Sequence, residues 1–186
     1  MTPRTRPLFL AFAAVAFAGL SVAYAQTTTS NMTGLKLSGD QPVNIESDQL
    51  EVHQQDNTAN FTGNVSVVQG TTHMTANDML VHYKGKGEAV SNGQAKIDTI
   101  DVSGNVVITT DTQKATADKG HFDMNSQIAT LEGDRVVLTE GNNIFVGCKL
   151  IVHMQTGVAK LDSCGRRVQI QLDPKSQQTP TPKKKP

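Results

Sequence analysis

Apolar and polar residues alternate along most of this chain, most regularly in residues 57–83. Ala59, Phe61, Val65 and Val67 share one parity, with Asn60, Thr62, Asn64 and Ser66 between them. A period of two marks a β-strand with one buried face. Gln69 and Gly70 supply a turn, because glycine accepts the positive φ that tight hairpins need. The chain returns through Thr72, Met74 and Ala76. Ala76-Asn77-Asp78 marks a kink, after which Met79, Val81 and Tyr83 alternate with Leu80 and His82.

The rest of the chain reads as weaker copies of this hairpin. Ala59-x-Phe61-x-Gly63, Ile100-x-Val102-x-Gly104 and Ala129-x-Leu131-x-Gly133 superpose, and Ala159-x-Leu161 begins a fourth copy. Ser103-Gly104-Asn105-Val106-Val107-Ile108 repeats Thr62-Gly63-Asn64-Val65-Ser66-Val67, and Ala117-Asp118 echoes Ala76-Asn77-Asp78. The separations are uneven, so this is not a strict solenoid. Before the clear hairpin, Val43 and Ile45 alternate, as do Leu50 and Val52. The polar Glu46-Ser47-Asp48 between them predicts a bend or bulge. Asn92-Gly93, Asn125-Ser126 and Gly141-Asn142-Asn143 are turns. The last rung ends at Val168, Ile170 and Leu172. No window of the chain after residue 25 sustains helical apolar spacing. The expectation is an all-β domain of short strands and tight turns, as a barrel or jelly roll requires.

The ends differ from the middle. Arg4 and Arg6, an apolar run over residues 8–18 and Ala23-Tyr24-Ala25 before Gln26 read as an export signal over residues 1–25. Residues 26–40 read as a flexible lead-in, residues 41–173 as the β domain, and residues 174–186 as a disordered Pro/Lys-rich tail. Cleavage after Ala25 leaves 15 basic and 17 acidic residues. That balance lacks the basic stripe of a nucleic-acid partner. Trp is absent and aromatics make up 4%. The core is therefore thin, or its own side chains leave part of it unfilled.

Candidate chemistry is sparse. The five histidines are scattered, with no metal-ligand spacing, so no metal site and no cofactor are expected. Glu46 and Asp48 have the composition of a carboxylate pair, but alternation puts them on an outer face, so no catalytic residue is expected. There is no phosphate-binding loop. Cys148 and Cys164 are the only cysteines. A hairpin turning at Gln155-Thr156 sets residues summing to about 311 opposite one another. These two sum to 312, so in an oxidising compartment they form a disulfide; otherwise they are two separate thiols.

Gln41-Pro42-Val43-Asn44-Ile45-Glu46-Ser47-Asp48-Gln49 and Phe61-Thr62-Gly63-Asn64-Val65-Ser66-Val67-Val68-Gln69-Gly70 resemble the LptA (OstA-like) family of periplasmic lipopolysaccharide-transport proteins. The match is densest over residues 41–83 and continues as rung spacing to about Leu172. The resemblance implies a single open-ended, twisted β-jelly roll of antiparallel strands with an apolar interior. It implies a periplasmic bridge that carries lipopolysaccharide, by its lipid A portion, from inner to outer membrane. It implies head-to-tail homo-oligomers between an LptC-like inner-membrane protein and an LptD-like outer-membrane protein. Family lumen positions map onto Val43 and Ile45. Phe61, Val65, Val67 and Met74 fit the lumen by parity and position, and Ile97 by position. Later and flanking rungs extend the lining to Val52, Val106, Ile108, Phe122, Leu131 and Ile144. The segment between Tyr83 and Ile100 is shorter than the family's. Residues 43–52 and 168–172 are the candidate edges for stacking.

Three other readings compete. An LptC-like component would keep residues 1–25 as an anchor. A carbohydrate-active enzyme would need a convergent acid and base. A structural β filament would carry no lipid.

Overall fold

The computed structural model describes residues 28–31, 42–85 and 96–174. The expected export signal, the tail beyond Pro174 and the Asn92-Gly93 turn lie outside the described residues. The eleven strands are β1 (Thr28–Asn31), β2 (Asn44–Glu46), β3 (Gln49–His53), β4 (Thr58–Gln69), β5 (Thr72–Lys84), β6 (Lys96–Thr109), β7 (Gln113–Asp123), β8 (Ile128–Glu140), β9 (Asn143–His153), β10 (Val158–Asp162) and β11 (Gln169–Gln171). There is no helical element among the described residues.

All strands belong to one antiparallel sheet, in the order β1-β10-β9-β8-β7-β6-β5-β4-β2. The sheet does not close on itself. At one end β2 and β3 together cover β4. The polar step after Glu46 separates these two strands, as its sequence predicts. At the other end β10 and β11 share β9, β10 on residues 149–153 and β11 on residues 144–146. The lead-in is not wholly flexible: Thr28–Asn31 pairs with β10. Four consecutive backbone pairs hold it there, a contact that side-chain polarity does not reveal.

Each long strand bends once near its middle. The registers shift there at Thr62/Val65, Thr75/Asp78, Ser103/Val106, Thr116/Lys119 and Glu132/Val136, and β5 shifts again near its end at His82/Tyr83. The bend divides the sheet into two layers with one core between them. On β5 the inward set changes parity at the bend, from Met74 and Ala76 to Met79 and Val81; β7 changes in the same way, from Ala115 and Ala117 to Phe122. A one-residue slip moves side chains to the opposite face. With two layers facing each other, it keeps both sets pointing inward.

The bends form a line of repeated contacts. On β4 and β6, Gly63-Asn64 (φ 79° and 47°) and Gly104-Asn105 (φ 77° and 52°) occupy the left-handed region. Asn64 Nδ2 donates to Asp48 Oδ2 at 2.8 Å, and the Asp48 amide donates to the Gly63 carbonyl at 2.9 Å. Asn105 Nδ2 reaches Asn77 Oδ1 at 3.4 Å, and the Asp134 amide donates to Asp118 Oδ2 at 2.9 Å. A Cβ at Gly104 would lie 2.5 Å from Asn77 Nδ2, and one at Gly133 would lie 2.5 Å from Asp118 Oδ2. The bends of β4, β6 and β8 therefore each seat a polar side chain from the preceding segment, Asp48, Asn77 or Asp118, against a glycine.

A disulfide joins Cys148 on β9 to Cys164, with Cα atoms 6.0 Å apart. It anchors the loop that leads into β11. The far end of β11 is tied by Asn142 Nδ2 to Asp173 Oδ2 at 2.7 Å and by the Asp173 amide to Asn143 Oδ1 at 3.0 Å.

Two variants test these devices by urea denaturation. Gly104→Ala is expected to lose about 2 kcal/mol, from backbone strain and the clash with Asn77, whereas Asn105→Gly stays near the parent. Cys164→Ser is expected to lose about 3 kcal/mol on the loop-entropy model, matched by reduction of the parent.

Candidate functional site: the apolar interior and its ends

The interior is built from rows that cross the whole sheet. In one layer, Ile45, Val67, Met74, Ile108, Ala115, Leu138, Phe145 and Ile170 are successive register partners. In the other, the row runs through Val52, Ala59, Val81, Ile100, Phe122, Ala129, Val152 and Ala159. Beside it Leu50, Phe61, Met79, Val102, Gly120, Leu131, Leu150 and Leu161 form a third.

Of the residues expected from sequence, Phe61, Val65, Val67, Met74, Val106, Ile108, Phe122 and Leu131 are buried in this interior. Ile45 and Ile97 are partly buried and pack against it. Val43 and Val52 stand at the β2–β3 edge and are 37% and 45% exposed. Ile144 is a correction. It pairs with Thr139 and Gln171, and its neighbour Phe145 takes the inward place, 9% exposed. Sequence counting from Ile144 to Val146 chose the wrong parity, because β9 bends between Phe145 and Leu150.

Sequence reasoning missed Leu50, Met79, Val81, Val102, Leu138, Leu150 and Val152 as interior or edge residues. Alternation had singled out Met79 and Val81, and only the kink before them hid their face. Leu138 and Leu150 sit beyond bends that no local pattern measures.

Of the two readings of the core, thin or partly unfilled, burial favours the first. Val65, Val106, Val136, Leu150 and Val152 are at most 1% exposed, so the chain's own side chains fill the middle. The core is thin instead. Alanines at positions 59, 115, 117, 129 and 159, with Gly120, bring the layers together without aromatic bulk. The interior emerges at both ends of the strand order. Leu50 (55%) and Val52 are exposed on β3, and Ile170 and Leu172 at β11. One margin of the interior is polar, with Gln69, Thr72, Thr110 and Gln113 buried there. The Thr110 amide donates to the Gln113 carbonyl at 2.8 Å, and Gln113 Nε2 donates to Glu140 Oε1 at 3.2 Å. At the opposite margin burial raises the Tyr83 phenol above its ordinary pKa.

The outer face carries charge in compensated sets. Glu132 accepts from Lys149 at 2.7 Å and from Lys119 at 3.1 Å, and the two ammonium groups, Lys149 first, hold its carboxyl below the ordinary 4.5. His121 Nδ1 lies 2.6 Å from Asp101 Oδ1. Lys119, Glu132, Asp101 and His121, with Asn60, Asp78, Ser103 and Thr130, line a concavity of about 610 Å³. Asp48 is occupied in holding Asn64 at the first bend, while Glu46 is exposed. No group of three potential metal ligands occurs among the described residues. No helix among them is long and apolar enough to cross a membrane.

The lowered Glu132 value fixes the sign of one pH effect. The bridge contributes stability above the unfolded pKa and loses it as pH falls through the folded one. Glu132→Gln is expected to cost less than about 1 kcal/mol at pH 7, since the pair is a third exposed. The gap to the parent should close as urea titrations are repeated below about pH 4.

Comparison with known proteins places this geometry. The family profile described as LptA/(LptD N-terminal domain) LPS transport protein matches residues 44–158. An uncharacterised protein of Rhizobium meliloti (strain 1021) is 50% identical over 185 residues, 96% of this chain and 100% of that relative. The lipopolysaccharide export system protein LptA of Escherichia coli (strain K12) is 44% identical over 59 residues, 31% of this chain and 32% of its own length. The crystal structure of LptH from Pseudomonas aeruginosa is described as the LptA homologous periplasmic component of the conserved lipopolysaccharide transport device. It superposes with a TM-score of 0.61 at 18% identity, over 73% of this chain and 98% of that one, a likeness of fold.

Proposed function

The chain belongs to the LptA/(LptD N-terminal domain) LPS transport protein family, and from that premise we propose that it is a periplasmic bridge carrying lipopolysaccharide from the inner to the outer membrane. The observation that carries the reading is the run of apolar rows from one exposed edge to the other, Leu50 and Val52 at one end and Ile170 and Leu172 at the other. Copies stacked head to tail, with an LptC-like protein at one end and an LptD-like protein at the other, would join these rows into one path.

The energetics favour such a path. Burying a methylene gives ~0.8 kcal/mol, so a twelve-carbon acyl chain resists water by on the order of 10 kcal/mol. Movement between apolar surfaces avoids that cost. The filled middle requires the layers to part. Backbone hydrogen bonds run along each layer, from strand to strand. Between the layers, side-chain packing holds the interior together, and the bends form the fold line. Acyl chains entering there replace one set of dispersion contacts with another. The buried polar margin at Gln69, Thr72, Thr110 and Gln113 suits the sugar and phosphate portion of such a lipid. Driving energy comes from a partner ATPase, since the chain has no nucleotide loop.

The filled middle also favours one other reading, a β filament that carries no lipid. Photocrosslinking in cells from Val43, Ile45 and Phe61 separates the two. Adducts with lipopolysaccharide are expected from Ile45 and Phe61 and absent from the outer-face position Thr130. Absence at Val43, Ile45 and Phe61 alike would leave the filament as the better account.

A further inference from the structure

After residue 25 the chain holds three arginines, Arg135, Arg166 and Arg167; its other permanently cationic side chains are lysines. The fold gathers all three. They line one cavity of about 220 Å³ beside the β9 bend, with Ser163 and a single carboxylate, Asp134. Arg135 reaches it from the β8 bend, where the register passes from Glu132 to Val136 and leaves 133–135 without register partners. A bulge re-aims side chains in this way, and the Asp134 amide on Asp118 fixes it. Arg166 and Arg167 reach it because the chain turns sharply before them. Cys164 (φ 48°) and Gly165 (φ 85°) are left-handed, and the Arg166 amide donates to the Ser163 carbonyl at 3.0 Å. The disulfide to Cys148 holds this turn on one side, and the pairing of Gln169 with Val146 holds it on the other. Two arginines on a free loop would be an ordinary solvated surface; these are tied down at both ends.

Their charge is not compensated. Lys84, Lys119 and Lys149 each meet a carboxylate, whereas among the described residues none of the three guanidinium groups forms an ion pair. Three positive charges less the one negative charge of Asp134 leave the cavity at plus two, and like charges repel until an anion joins them. A phosphate monoester carries about two negative charges and three acceptor oxygens. The guanidinium fork binds such oxygens in pairs, and one fork already satisfies the two oxygens of a carboxylate. The apolar end of the interior begins at the next residue. Val168 packs against the core, and Ile170 and Leu172, of the same parity, are exposed. The occupant must therefore be anionic at one end and apolar along its length. A specific protein partner takes roughly 800 Å² of surface, whereas this cleft seats a single charged group. We infer that the cavity binds the phosphate monoester of a lipid headgroup, whose acyl part lies along Val168, Ile170 and Leu172. This rests on the lipid-carrying reading above.

Binding of fluorescently labelled lipopolysaccharide to the full chain tests it, with the lipid used intact and after hydrofluoric acid has stripped its phosphates. The parent is expected to prefer the intact lipid by about tenfold or more, the worth of a charge-assisted hydrogen bond. Arg166→Gln/Arg167→Gln should lose that preference and still bind the stripped lipid as the parent does, which also shows that the variant is folded. Arg135→Gln, on a different strand, should lose part of it. Removing two charges elsewhere, by Lys114→Gln/Lys160→Gln at exposed positions, should change neither affinity. Inorganic phosphate, which buries no apolar surface, should displace the intact lipid only at about a hundredfold excess or more. Equal potency would make the occupant a soluble anion and overturn the lipid assignment. If the parent binds intact and stripped lipid alike, the site fails and the lipid-carrying reading stands; if it binds neither, both fail. An undiminished preference in the double arginine variant also overturns the inference. If that variant instead loses a crosslink in cells from Gln169 to a protein, the cavity belongs to an acidic protein partner.

Discussion

The fold depends on one contact made several times over: a carboxylate or amide from one strand seated against a glycine in the next. Asp48 on Gly63, Asn77 on Gly104 and Asp118 on Gly133 are its three forms. A β-strand left to its pleat would run straight, and eleven in register would make one broad sheet with an apolar face in water. The bend turns that face onto itself. It does so only if the backbone enters the left-handed region at Gly63-Asn64 and Gly104-Asn105, and only if the extra residues find hydrogen-bond partners. The Asp and Asn side chains supply those partners, so the geometry and the polar bookkeeping are met by the same atoms.

From the bend follows the character of the interior. Two layers joined along a fold line need side chains short enough to meet, which explains why alanine recurs where a β-sandwich would carry larger residues. The apolar surface is continuous along the strand order because each row is built from register partners. It reaches the outside because the sheet has ends. The same openness leaves backbone edges to be covered, by β1 on β10 and by β11 on β9, the latter held by the disulfide at one end and Asp173 at the other.

Much of this was legible in the chain. Alternation gave the strands, Ala76-Asn77-Asp78 and its echo Ala117-Asp118 gave two of the places where they bend, and the spacing of Cys148 and Cys164 about Gln155-Thr156 matched the β9–β10 register, in which Val158 lies opposite His153. What alternation could not give was the face adopted after a bend. That depends on how many residues the bend consumes: Met79, Val81 and Leu150 lie beyond one, and Phe145 lies on the other side of the β9 bend from Leu150. Ile144 was misplaced for this reason. The pairing of Thr28–Asn31 was hidden because four polar residues carry no face signal, and backbone hydrogen bonds alone place them. The filled middle was hidden because composition fixes how much apolar volume exists, while the separation of the layers decides whether it suffices.

Because every hairpin brings its own corner, the molecule resembles an extrusion more than a globule: its cross-section is set, and its length is a count of identical slices. Inserting or removing a pair of strands would change how far the profile extends while leaving both terminal faces as they were. A scaffold of this sort can vary its reach by whole slices without redesigning what it offers at either end.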